Sequence, residues 1–139
     1  MRNILADTGP LVALLLKRDP NHRATTHWIA GNTHRLLSTW PVVTEVCHFL
    51  DLRGKLALFQ IIERGALVVA DIASGDVKAF ASIMATYADR DVDLADASLV
   101  LLAERSGTKD IITFDRKDFA TYRLSRSRTF NILFPTVPE

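Results

Sequence analysis

The apolar positions of this chain follow two rhythms. Short unbroken runs, Ile4-Leu5-Ala6, Leu67-Val68-Val69 and Ile111-Ile112-Thr113-Phe114, are bounded by turn residues or acids, as buried strands are. Between them lie longer stretches in which apolar residues return every three or four positions, the period of a helix with one covered face. Thr8-Gly9-Pro10 turns the chain after the first run. Pro10 suits the first position of a helix with Leu11, Leu14 and Leu15 inward. A second helix is expected over 20–30, with Gly31 as its stop. Residues 35–38 form a weaker second strand. Pro41 opens a helix carrying Val42, Val46, Phe49 and Leu50, which Gly54 is expected to end. The next helix carries Leu58, Phe59 and Ile62 and runs to Gly65.

The third strand is 67–69, followed by an amphipathic helix over 74–87 with Val77, Phe80, Ala81, Met84 and Tyr87 on its buried face. The helix over 94–106 is apolar on most sides, so it is expected to lie centrally, with Gly107 as its C-cap. The fourth strand, 111–114, ends at Asp115, and 130–133 is a candidate fifth. Short apolar strands separated by helices predict a parallel sheet covered on both faces. The expected fold class is therefore α/β: a three-layer α/β/α sandwich around a central, mainly parallel sheet of four to five short strands. No repeat, low-complexity tract or linker divides the chain, which is read as a single domain over 1–139.

Composition narrows the picture. Hydrophobic residues make up 48% and charged residues 24% of the chain, which is the balance of a folded globular protein. The formal net charge of +1 neither requires nor forbids a nucleic-acid partner. Cys47 is the sole cysteine, so no intrachain disulfide forms, and a reducing, cytoplasmic setting is expected. The apolar opening from Ile4 to Leu16 faintly resembles a secretion signal, but Asp7, Thr8 and Pro10 interrupt it. No apolar stretch is long enough to span a bilayer, and no membrane partner is expected.

Four carboxylates stand where the pattern calls for apolar residues. Asp7 and Asp115 directly follow strand-like runs. Glu45 shares a helix face with Val42, Phe49 and Leu52, and Asp96 shares one with Val100, Ala103 and Gly107. Each has a plainer explanation. Asp7 could cap the following helix, and the stem of Glu45 could pack while its head reaches water. Asp93 and Asp96 have the spacing of a capping box, and Asp115 and Asp118 repeat it. Asp93 and Asp118 are read as caps or supports. Were the four to converge, two carboxylates about 4 Å apart would repel by roughly 4 kcal/mol at an effective dielectric near 20. The set would then protonate, splay or bind a cation, and oxygen-only ligands select hard ions such as Mg²⁺ or Mn²⁺. Such an ion polarises a phosphate and activates water, so metal-assisted phosphodiester chemistry is the leading expectation.

Other signals are weaker. Asp7-Thr8-Gly9 matches the aspartic-protease triplet, but those enzymes are all-β and pair two such loops. A haloacid-dehalogenase-type phosphatase needs a second Asp where Gly9 stands. No phosphate-binding glycine loop is present. His22, His27, His34 and His48 lack a metal-ligand spacing shared with cysteine, and His48 and Cys47 read as surface and packing residues. Basic residues crowd the C-terminal quarter, from Lys109 through Arg116 and Lys117 to Arg128. They could neutralise RNA phosphates as a group.

Four segments, taken in order, resemble the PIN-domain family of ribonucleases, especially VapC-type toxins of toxin–antitoxin pairs. They are Ile4-Leu5-Ala6-Asp7-Thr8-Gly9-Pro10-Leu11, Val43-Thr44-Glu45-Val46, Asp93-Leu94-Ala95-Asp96-Ala97-Ser98-Leu99 and Ile112-Thr113-Phe114-Asp115-Arg116-Lys117-Asp118-Phe119. Each motif is short, but four in the right order and spacing are fairly specific. The resemblance implies a PIN-like α/β/α sandwich, with catalytic, metal-binding acids at Asp7, Glu45, Asp96 and Asp115 and supporting hydroxyls at Thr8 and Thr113. It further implies one or two Mg²⁺ or Mn²⁺ ions, an RNA substrate, a homodimer and a small antitoxin partner. Two competing readings stay open: a non-catalytic RNA-binding or protein-interaction module, and a phosphatase or receiver-like domain.

Overall fold

A computed structural model describes residues 2–135. Its strands are β1 (Asn3–Ala6), β2 (Arg35–Thr39), β3 (Leu67–Ala70), β4 (Asp110–Ile112) and β5 (Asn131–Leu133). They form one sheet in the order β3-β2-β1-β4-β5, and every neighbouring pair is parallel. The expected mainly parallel sheet is thus wholly parallel, and the candidate fifth strand is present. Seven α-helices join the described strands: α1 (Thr8–Leu15), α2 (His22–Gly31), α3 (Trp40–His48), α4 (Leu52–Glu63), α5 (Val77–Thr86), α6 (Leu94–Ser106) and α7 (Arg116–Thr121). The helix α1 packs against α2, α3 and α4, and α5 packs against α6, as in a three-layer sandwich whose parallel strands are joined by helical crossovers.

The two central strands hold the deepest core. Ile4, Leu5, Ala6, Ile111 and Ile112 are all buried, as expected of unbroken apolar runs in a doubly covered sheet. Burying a Leu or Ile side chain stabilises the fold by about 1.5–3 kcal/mol. Val42 and Val46 of α3 and Leu99, Val100 and Ala103 of α6 complete the main core from both faces. Gly107 ends α6 in the left-handed conformation its position predicts (φ 69°).

Four local expectations are corrected. Gly54 does not end a helix. The helix α3 stops at His48, Asp51 caps α4 by accepting a bond from the Gly54 amide at 2.9 Å, and Gly54 lies in the first turn. A Cβ there would come within 3.0 Å of the Leu50 Cβ, so close packing explains the glycine. Pro10 is the third residue of α1, which already begins at Thr8. The stripe of α5 is displaced: Val77 and Ala81 are exposed, and Phe80 is buried in line with Asp76 of the preceding 3-10 turn. Finally, β4 ends at Ile112, so Thr113, Phe114 and Asp115 lie in the loop beyond it.

Candidate functional site

Strand order reverses around β1, with β2 on one side and β4 on the other. Loops leaving the carboxyl ends of β1 and β4 diverge there and open a crevice, the usual ligand position in such sheets. The backbone amide of Asp7 still donates to the Ile112 carbonyl at 3.1 Å, which pins Asp7 to the sheet edge. Asp7 holds the N-cap position of α1, yet its side chain makes no capping bond. Capping therefore does not account for it. The Thr113 hydroxyl donates to its Oδ2 at 2.7 Å. Burial nevertheless raises the Asp7 carboxyl from 3.8 to about 6, against the lowering effects of Thr113 and the Thr8 amide and with the charges of Asp115 and Asp93 adding to the rise.

Asp96 lies in the first turn of α6. The cap of that helix is Asp93, which is exposed and accepts from the Asp96 amide at 2.8 Å. The Asp96 carboxylate is left for the crevice, where Tyr122 donates its hydroxyl at 2.7 Å. Burial lifts its carboxyl to about 7; Tyr122 opposes this, and Asp7, Asp93 and Asp115 reinforce it. The Tyr122 hydroxyl is in turn pushed well above its ordinary range, first by burial and then by its bond to Asp96.

Asp115 both caps α7, accepting from the Asp118 amide at 3.0 Å, and faces the other acids. Its own amide donates to Thr113 Oγ1 at 2.9 Å. Thr113, fully buried, thus ties the β4 loop to Asp7 with one hydroxyl. Oxygens of Asp96, Asp115 and Asp118 all lie within 4.8 Å of one another. Asp118, read as a cap or a support, does not cap α7, whose cap is Asp115; it stands beside Asp96 and Asp115 in this group and is braced from outside by Arg90 at 2.7 Å. Burial, then the neighbouring Asp115, raises its carboxyl, with Arg90 and Lys117 opposing.

Glu45 is half-buried on α3 and joins the others less directly, through a 3.0 Å bond from the Thr8 hydroxyl. Its expected neighbours Phe49 and Leu52 are exposed, so its face borders the core rather than entering it. Asp7, Asp96 and Asp115 feel one another's charge, Glu45 stands at the rim, and Asp118 is drawn in beside Asp115. Sequence reasoning missed Tyr122 and Arg90. Burial of Tyr122 three positions after Phe119 is a packing signal only, and nothing local announces that its hydroxyl reaches Asp96.

The donors are all oxygens, several are crowded, and burial raises the carboxyls of Asp7 and Asp96, with no Lys or Arg paired to either among the described residues. Such a set fits a hard divalent cation, since metal binding requires the ionised carboxylates that mutual repulsion disfavours. Fold and site together define an α/β domain with an acidic, cation-ready crevice. More particularly, the chain belongs to the PIN domain family, whose model matches residues 4–124. It is similar to Ribonuclease VapC26 of Mycobacterium tuberculosis (strain ATCC 25618 / H37Rv), with 28% identity over 134 residues covering 94% of this chain and 99% of that protein. The crystal structure of M. tuberculosis VapC20, described as a sarcin-ricin loop cleaving toxin, shares the fold. Its TM-score is 0.74 at 17% identity, over 82% of this chain and 91% of that one.

Proposed function

We propose that this protein is a Mg²⁺- or Mn²⁺-dependent endoribonuclease and the toxin of a toxin–antitoxin pair. The observation that carries this reading is the convergence of Asp7, Asp96 and Asp115 at the strand switch point, with Glu45 linked through Thr8. Family membership and similarity to a VapC ribonuclease support it. Asp7, Glu45, Asp96 and Asp115 would hold the cation, with Asp118 beside them. When bound, the cation supplies Lewis-acid polarisation of a phosphate and lowers the pKa of water to the neutral range.

The remaining work falls to the protein. Thr113 orients Asp7, Tyr122 orients Asp96, and Thr8 orients Glu45, each by a hydroxyl donated to a carboxylate oxygen. Asp93 fixes the start of α6 and so the position of Asp96. Hydrolysis of RNA at this site leaves a 5′-phosphate and a 3′-hydroxyl. In the full reading the chain is one PIN-like domain, works in the cytoplasm as a homodimer and is inhibited by a small antitoxin. No helix among the described residues is long and apolar enough to cross a membrane.

The test is cleavage of RNA by the purified protein with and without Mg²⁺ or Mn²⁺, with the product ends identified. Full activity in Asp96→Asn would sink the site assignment. Tight RNA binding without cleavage in either metal would favour a non-catalytic RNA-binding module instead.

A further inference from the structure

Next to the acids lies a niche of opposite character. Trp40 and Leu94, the first residues of α3 and α6, leave 44% and 47% of their surfaces exposed. With Pro41, Thr44, Glu45 and Ala95 they line an open cavity of about 380 Å³ whose surface is almost entirely apolar. That size lies within the range of roughly 300–1,000 Å³ typical of small-ligand sites. Thr39, which caps α3, and Ser98 in the second turn of α6 tie the two helices together by a buried 2.6 Å hydrogen bond. The niche is therefore built on rigid elements.

Its position decides what it suits. Glu45 belongs both to its wall and to the acidic site. Leu94 and Ala95 lie between Asp93 and Asp96 in the chain. Anything seated there is within a residue of the candidate cation ligands on two helices. A ligand processed by those acids carries a phosphodiester, and the part of a nucleotide with flat apolar faces is its base. Unpaired bases in RNA are recognised largely by stacking on aromatic side chains, because paired bases are hidden in the helix.

We propose that this niche receives an unstacked nucleobase beside the phosphodiester being cut, with the base lying on the Trp40 indole. The inference rests on the ribonuclease reading and deepens it by assigning a side chain of this chain, Trp40, to hold the base at the cut site. Stacking of one base on an aromatic side chain amounts to about a 5- to 150-fold effect on truncation to alanine. Trp40→Ala is therefore expected to lower kcat/KM for RNA by roughly 10- to 100-fold, and Trp40→Phe to recover most of the loss.

A binding measurement separates this role from a merely structural one. The chain has two tryptophans, Trp28 and Trp40. In a Trp28→Phe, Asp96→Asn background, mixed-sequence single-stranded RNA should quench the remaining indole. An abasic ribose-phosphate strand of equal length should bind with little quenching. Equal quenching by both strands overturns the proposal. So does wild-type cleavage by Trp40→Ala, which would assign the niche to a protein partner while leaving the ribonuclease reading intact. Absence of cleavage by the wild-type protein on any RNA would overturn both readings together.

Discussion

Asp7 and Asp76 each leave 8% of their surface exposed, but Asp7 lies deep in the crevice whereas Asp76 lies near the surface beside a half-exposed Arg105, and the fold treats them in opposite ways. Asp76 sits at the seam between α5 and α6. Arg105 grips it with both terminal nitrogens, and the Ala73 amide adds a bond at 2.9 Å. The guanidinium, with that amide, holds the Asp76 carboxyl below its ordinary range. Asp7 receives a hydroxyl and faces other carboxylates, so burial prevails and its carboxyl rises to about 6. A buried acid that serves structure is neutralised by a dedicated cation from the same chain. Among the described residues no such cation pairs with Asp7 or Asp96, and Arg90 reaches the outer member, Asp118. The lack of compensation is what the proposed cation-binding role of these acids requires.

The contrast is tested most severely by exchanging each acid for its amide. Asp7→Asn or Asp96→Asn should cut metal-dependent RNA cleavage by more than about 100-fold, since even indirect partners of metal ligands matter 10- to 100-fold. The same variants should melt at or above the wild-type temperature when metal-free at pH 7.5. Asp76→Asn should do the reverse, losing several degrees of melting temperature because Arg105 is left without its partner, while cleavage at a temperature where it is folded stays near wild type. Cleavage assays beside thermal melts check both halves, and a destabilised Asp7→Asn would break the comparison.

A pH series gives the next largest effect. Asp7 and Asp96, raised from 3.8 to about 6 and about 7, keep protons in the folded chain that the unfolded chain has released. The folded state thus binds more protons between about pH 4 and 7, and stability of the metal-free protein falls as pH rises through that window. The contribution of Asp7 is on the order of 3 kcal/mol. Asp76 has the opposite sign: its stabilisation is present above its unfolded value and is lost as pH falls through its lowered folded value. Denaturant titrations of metal-free protein should show the decline between about pH 4 and 7, and Asp7→Asn should make it shallower below about pH 6. Added Mg²⁺ should stabilise increasingly over the same interval.

The smallest expected change sharpens the picture. Tyr122→Phe removes the hydroxyl that favours ionised Asp96. Metal affinity should weaken by about 10-fold and the rising limb of the cleavage–pH profile should move to higher pH. An unchanged profile would show that Tyr122 packs without orienting Asp96.

How much of this was legible in the sequence follows from what each feature depends on. The central strands β1 and β4 were readable because strands covered on both faces must be apolar throughout. The candidate ligands were readable because acids interrupting such patterns are conspicuous. Gly54 was misread because glycine as a stop and glycine as a close-packing residue look alike until Leu50 is in place. The displaced face of α5 has a related cause: Asp76 occupies its buried line, and a hydrophobic count passes over a polar residue whose partner, Arg105, comes 29 positions later. Asp118 reads as a cap or a support from sequence, and only geometry shows that the capping role belongs to the first acid of its pair, Asp115. Tyr122 carried no local signal at all, since its hydroxyl meets an acid 26 residues earlier.

The bond from Thr113 to Asp7 joins residues 106 positions apart. It has a consequence for the order of synthesis. A ribosome delivers Asp7 early, but its partner strand and Asp115 emerge only after most of the chain has been made. Until then a growing chain can shape helices and part of the sheet, yet it lacks the strand that sets Asp7 against Asp115. Premature release, or truncation before residue 113, yields a fragment with no assembled site. The acidic crevice is thus a late product of synthesis, complete only when both ends of the chain have met.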